Sequence, residues 1–159
     1  MNEQNLTANR LFTSQGIAVY DGVSNELLNK DIMLVLSDAV SKLKRCYNKT
    51  YEEIAYEVAG CKLSWFESDY ISALYDKDTK TIFCSELALN NLLHEICHSL
   101  QGKVNGLTMY SMLDYLHIEQ QCQTMTYYLY NSVYSYYMGK DMFPEYFTLE
   151  DIQKVLSPI

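Results

Sequence analysis

Two histidines and a glutamate lie close together in the segment His94-Glu95-Ile96-Cys97-His98. Histidines four positions apart fall on one face of a helix, a turn apart. Two imidazoles at that spacing can bind one zinc ion, with ring nitrogens about 2.0–2.1 Å from the metal. Glu95 follows the first histidine directly, so its carboxylate can approach a metal-bound water without being a ligand. The segment therefore predicts a zinc site with a general base beside it.

The residues around this segment favour a zinc site over a chance pair of histidines. The chain has three histidines, and two of them lie in the segment. The alternative is a helix that carries two unrelated surface histidines. An active-site helix is buried on one side, and such a side is present here as an apolar face. Its members are Leu89, Leu92, Leu93, Ile96 and Leu100.

A zinc site that keeps one position open for water needs a third protein ligand. Glu119, 21 positions after His98, is the first candidate, because two antiparallel helices joined by a short loop would bring it to the metal. Gln123 shares its helical face and could orient a ligand through a hydrogen bond. The alternatives are Asp114 and His117. A histidine is a good zinc ligand, but His117 points to nearly the opposite side of a regular helix from Glu119.

The five cysteines have an odd count and irregular spacing, which is unlike a disulfide framework. We expect reduced, mostly buried thiols. Cys97 turns toward Leu93 and Leu100 on the packing side of its helix, so we do not expect it to be a zinc ligand. Cys122 stays open as a ligand, because it lies three residues after Glu119.

Helix and strand signals indicate the elements that position these residues. A helix is predicted from a cap at Ser24 or Asn25 to about Cys46. A capping box that begins at Thr50 opens a short helix, and Gly60 ends it.

Three strands are predicted next, at residues 62–66, 72–75 and 79–84. The last two form a hairpin around the turn Asp76-Lys77-Asp78. A helix capped by Ser85 follows at residues 86–101.

Gly102 is predicted to end that helix, and a long helix at 108–138 comes after it. The remaining segments are an irregular arm at residues 1–23, with a short strand at 16–20, and a short final helix from Thr148. No internal repeat or domain boundary is visible, so one domain is expected over 1–159.

Residues 62–130 resemble the gluzincin branch of the zinc peptidases, in the small form of the minigluzincins. The segment from His94 to Gln101, with Glu119 after it, is also similar to small metallopeptidases of bacteria and phages. The metzincin continuation is absent, since Gln101 and Val104 replace its glycine and histidine. Many gluzincins have an acidic residue where this chain has Gln123.

The resemblance implies an α+β, zincin-like fold, with an antiparallel or mixed sheet of about three strands packed on the active-site helix and a long second helix. It implies zinc held by His94, His98 and Glu119, with Glu95 as the general base. It also implies a peptide or protein substrate that pairs with the strand before the helix. No histidine follows His117, so a tyrosine would have to stabilise the oxyanion.

Net charge and apolar content argue against two further classes, nucleic-acid-binding proteins and membrane-spanning proteins. The net charge of −8 argues against nucleic-acid binding, and no apolar run is long enough for a membrane span. The start has no secretory signal, which predicts a cytoplasmic protein. Two alternatives to a peptidase stay open. One is a catalytically idle zincin-fold protein that binds partners through its tyrosine-rich stretch at residues 127–137. The other is a zinc amidase or esterase.

Overall fold

The computed structural model describes residues 27–86 and 88–137, with side chains as far as Val133. The predicted arm, its short strand and the helix from Thr148 lie outside these residues. The described elements, in chain order, are α1 (Lys30–Lys44), α2 (Tyr51–Ala59), β1 (Lys62–Trp65), β2 (Ala73–Asp76), β3 (Thr81–Cys84), α3 (Leu89–Asn105) and α4 (Met112–Tyr137).

The first two helices begin at side-chain caps. The Asn29 side chain accepts a hydrogen bond from the Ile32 amide at 3.0 Å, so α1 begins later than the predicted caps at Ser24 or Asn25. The predicted capping box of α2 is confirmed, with Thr50 and Glu53 satisfying each other's backbone amides. Gly60 ends α2 in the left-handed conformation, also as predicted.

The three strands form one mixed sheet in the order β1-β3-β2. The predicted hairpin is confirmed, since β2 and β3 pair antiparallel with Tyr75 opposite Ile82. Strand β1 pairs with β3 in parallel. Together with the helices, this makes the described chain α+β. Strand β2 is an edge of the sheet and contacts α3, which places the edge beside the predicted site.

Helix α3 differs from the prediction at both ends. Ser85 does not cap it; its hydroxyl donates to the Ile71 carbonyl, and α3 begins at Leu89 without a side-chain cap. Gly102 does not end it either. The helix continues to Asn105 and ends at Gly106, which has a φ of 74°. A Cβ added at Gly102 would meet Leu107 at an ordinary 3.7 Å, so this position inside the helix does not require glycine.

The core lies where α3 packs against α1, α2 and α4. The apolar face predicted on α3 is buried, with Leu92, Leu93 and Ile96 fully enclosed. Helix α4 begins at Met112, four residues later than predicted, because residues 107–111 form the loop from α3. None of the helices in the described ranges is long and apolar enough to cross a membrane.

The first part of the tyrosine-rich stretch is in the core. Tyr127 and Tyr130 are buried and Tyr128 is half-buried. These rings therefore do not form the interaction surface predicted for residues 127–137. The side chains of its remaining tyrosines lie outside the described residues.

Candidate metal centre

Helices α3 and α4 run antiparallel and bring two sets of polar side chains together. Cys122 contacts His94, Glu119 contacts His98, and the Ile118 carbonyl contacts Gln101, so sequence position rises on one helix as it falls on the other. Because the loop between the two helices is short, they pack as antiparallel neighbours. The geometry expected from the sequence for Glu119 is therefore present.

Both motif histidines point Nε2 at the carboxylate of Glu119. The distance from His94 Nε2 to Oε1 is 3.5 Å, and that from His98 Nε2 to Oε2 is 3.1 Å. Two ligands 2.0–2.1 Å from a tetrahedral ion lie about 3.3–3.4 Å apart. The two distances bracket that value, and two imidazoles with a carboxylate are a zinc donor set. The chemistry of these three side chains and the two distances are compatible with a bound metal ion.

The rival ligands predicted on α4 are placed differently. His117 is exposed and does not line the cleft that contains His94 and His98. The carboxylate of Asp114 accepts a hydrogen bond from the Tyr110 amide at 2.9 Å, at the start of α4. Of the three candidates, Glu119 is the one that the structure brings to both motif histidines.

Cys122 is a further possible ligand. Ligand atoms of His94, His98 and Cys122 lie within 4.8 Å of one another, so these three side chains could also hold a metal ion. However, the thiol of Cys122 donates to the His94 carbonyl at 3.0 Å, and its sulfur lies 3.7 Å from Nδ1 of that ring. Burial raises its pKa well above the usual value, which disfavours the thiolate that a metal requires.

Cys97 lies on the packing side of α3, as predicted. It is fully buried, and burial raises its pKa to about 12. All five cysteines are free and buried. The apolar surroundings of Cys97 make it a small core residue rather than a ligand.

The charges in the site stabilise one another. Hydrogen bonds from His94 and His98 lower the pKa of Glu119 to about 2. Burial lowers the pKa of His98, but its hydrogen bond to Glu119 and the nearby negative charges outweigh burial, so this pKa lies above its usual value. Glu119 is therefore ionised at neutral pH, which is the state that a metal ligand needs.

Glu95 lies beside these ligands but is more deeply buried than Glu119. Its side chain is 8% exposed, and burial raises its pKa, although the charges of His94 and His98 oppose that rise. The backbone of Tyr75 on β2 also opposes the rise in the pKa of Glu95. Strand β2 thus lies beside Glu95 at the site.

A chain of buried amides reaches His98 from behind. Gln101 Oε1 lies 2.8 Å from His98 Nδ1, and the amide nitrogen of Gln101 donates to Gln121. Both glutamines are essentially fully buried. The sequence predicts Gln123 for a role of this kind, but the structure places Gln101 there. The available signal is a polar residue, Gln101, three positions after a motif histidine, one turn along the helix.

The candidate site opens into a cleft of about 410 Å³. A wider hollow of about 700 Å³ lies elsewhere, beside α2, and shares no residue with the site. Strand β2, the α3–α4 loop and the first turns of α4 form the walls of the cleft. Its lining residues are Ala73, Leu74, Tyr75, His94, Glu95, His98, Leu107, Met109, Tyr115, Ile118 and Glu119.

Comparisons with protein families, with curated proteins and with solved structures gave no match to this chain. The chemistry of the site has to be argued from its own residues.

Proposed function

We propose that this chain is a zinc-dependent metallohydrolase with a zincin-like fold, and that it cleaves peptide bonds. The observation that carries the proposal is the convergence of two Nε2 atoms on the Glu119 carboxylate, at 3.5 and 3.1 Å. These are the spacings of ligands around one tetrahedral ion. The likeness of the motif and its following helix to gluzincins supports a peptide as the substrate.

In this proposal His94, His98 and Glu119 hold the metal. A bound zinc ion supplies a Lewis acid for the scissile carbonyl and makes water a nucleophile near neutral pH. Glu95 accepts the proton of the attacking water and delivers it to the leaving amine. Its buried position supports this role, since a carboxylate with a raised pKa is a stronger base than a solvated one.

Tyr115 is the residue that we assign to the oxyanion. It lies one turn before Glu119 on α4 and lines the same cleft, where its ring is partly exposed. Tyr75 also lines the cleft, but burial raises the pKa of its phenol, and Ser99 beside it opposes that rise. A phenol hydroxyl at the cleft wall can donate to the charge that develops on the substrate carbonyl.

The Glu95→Gln variant tests the function. We expect it to keep its zinc, measured by elemental analysis, and to lose turnover of a peptide library by at least about a hundredfold, because the general base is removed. The exposed Glu86 provides a matched control, and Glu86→Gln should keep full activity. Equal turnover by Glu95→Gln and the unchanged protein would assign the reaction elsewhere. Ester and non-peptide amide substrates, assayed in parallel, separate a peptidase from the other hydrolases.

A second candidate function is a binding protein that keeps the zinc fold without turnover. It is favoured by an apolar strip at residues 109–116, the loop and first turns of α4. Six side chains of this strip are at least 46% exposed: Met109, Tyr110, Met112, Leu113, Tyr115 and Leu116. Exposed apolar surface of this extent often marks a contact site. If zinc-loaded protein cleaves no peptide, ester or amide, this function replaces the first.

A further inference from the structure

We infer that two buried glutamines, Gln101 and Gln121, hold the His98 ring in the tautomer that leaves Nε2 free to bind a metal. His98 Nδ1 lies 2.8 Å from Gln101 Oε1. Gln101 Nε2 donates to the Ile118 carbonyl at 2.9 Å and to Gln121 Oε1 at 2.8 Å. Gln121 Nε2 donates to the Leu27 carbonyl at 2.7 Å. The inference rests on the proposed metal site, but the tautomer can be tested without metal.

The direction of this amide chain follows from its two backbone carbonyls. A carbonyl oxygen only accepts, so the Leu27 carbonyl requires the amide nitrogen of Gln121 to face it. Gln121 must then present its oxygen to Gln101. The Ile118 carbonyl imposes the same orientation on Gln101, whose two N–H groups are now both used. Its oxygen is left for the histidine, and the histidine must donate.

Either amide could be turned over only at a high cost. A flipped Gln101 would bring its oxygen against the Ile118 carbonyl and against Gln121 Oε1, at less than 3 Å, where both glutamines are buried. Buried polar atoms left unpaired in this way are strongly unfavourable. The chain therefore has one arrangement of donors and acceptors, which places a proton on Nδ1 of His98.

This arrangement makes His98 a ligand at its other nitrogen. With the Nδ1 proton committed to Gln101, Nε2 is the ring atom that faces the Glu119 oxygen, at 3.1 Å. Two acceptors at that distance need a positive centre between them, which is a proton or a metal ion. A carboxylate at position 101 could receive the His98 proton but could not donate to Ile118 and Gln121. An uncharged amide is the group that satisfies all three contacts.

Nitrogen-15 spectroscopy of the imidazoles tests the tautomer in the unmodified, metal-free protein. The chain has three histidines, so long-range proton–nitrogen correlations can be assigned by replacing them one at a time. With or without a proton on Nε2, we expect Nδ1 of His98 to carry one, because the Gln101 oxygen beside it can only accept. The side chain of free histidine in water, when neutral, carries its proton mainly on Nε2. A His98 ring whose Nδ1 carries no proton would overturn the inference whatever the protein catalyses.

Three glutamine variants test the consequence for the metal. Gln101→Met should weaken zinc binding about 10- to 100-fold, the usual effect of removing a ligand's hydrogen-bond partner. Gln121→Met should cost less, since the Ile118 carbonyl still orients Gln101. Gln123→Met is the matched control, on the same helix and half-buried, and should leave affinity unchanged.

Zinc affinity is measured by competition with a chromophoric chelator, and circular dichroism verifies that each variant is folded. Full zinc affinity together with an Nδ1 proton in Gln101→Met would contradict the inference. If that variant does not fold, the zinc affinity of Gln121→Met and the spectrum of the unmodified protein still test the inference. A protein that binds no zinc at all would refute the proposed function, while the tautomer result would stand.

Discussion

Glu119 is the residue on which the third-ligand assignment depends, because one carboxylate contacts both motif histidines. We expect Glu119→Gln to weaken zinc binding by more than the ~10–100-fold typical of residues that only contact a ligand. His117→Gln and Asp114→Asn, on the same helix, are the controls and should bind zinc normally. Chelator competition measures all three. If His117→Gln lost affinity and Glu119→Gln kept it, His117 and not Glu119 would be the third ligand.

We predict that Cys122, unlike Glu119, is not a metal ligand, although both lie near His94. Its thiol is a donor to the His94 carbonyl, and burial raises its pKa. We therefore expect cobalt-substituted protein to lack the strong near-ultraviolet absorption of a thiolate bound to the metal. Cys122→Ser should retain zinc stoichiometry. An intense charge-transfer band that disappears in this variant would show that the sulfur is a ligand.

At the scale of elements, Gly60 and Gly102 were both predicted to end a helix, but only one of them does. Gly60 ends α2 with a φ of 68°, whereas Gly102 lies inside α3. Gly60→Ala should destabilise the fold by about 1–2 kcal/mol, through left-handed strain alone, since no atom lies within 4 Å of an added Cβ. Gly102→Ala should stabilise it by about 0.5–1 kcal/mol, because its Cβ would meet Leu107 at an ordinary 3.7 Å. Urea unfolding measures both. Equal shifts of the same sign would contradict this difference.

The contrast between these glycines shows what the sequence could predict. The capping box at Thr50 and the hairpin before Ser85 depend on neighbours within a few residues, and both were predicted. The end of α3 was not, because Gly102 and Gly106 are both candidates to end it, and Gly106 is the one that takes the left-handed conformation. The motif histidines and Glu119 follow from helical spacing and a short loop. The contact of Gln101 with His98 follows from helical spacing, but its partners Ile118 and Gln121, 17 and 20 residues away, could not be predicted.

For the whole molecule, metal binding and folding should be coupled. The proposed ligands come from α3 and α4, which pack against each other, so zinc would connect them only in the folded chain. At free zinc 100 times the dissociation constant, we expect a gain of about 2.7 kcal/mol in the free energy of unfolding. Thermal or urea unfolding with zinc and with a chelator measures it. His94→Gln should show no such difference, and identical curves for the unchanged protein would refute the coupling.

The amide chain behind His98 also restricts how this sequence can change over evolutionary time. Gln101 donates to two neighbours and Gln121 to one, and each also accepts a hydrogen bond, so a substitution at position 101 alone leaves an unmatched oxygen at position 121. Substitutions there are tolerated when they come in pairs. Among relatives of this protein, positions 101 and 121 should therefore covary, while position 123 should change independently of both.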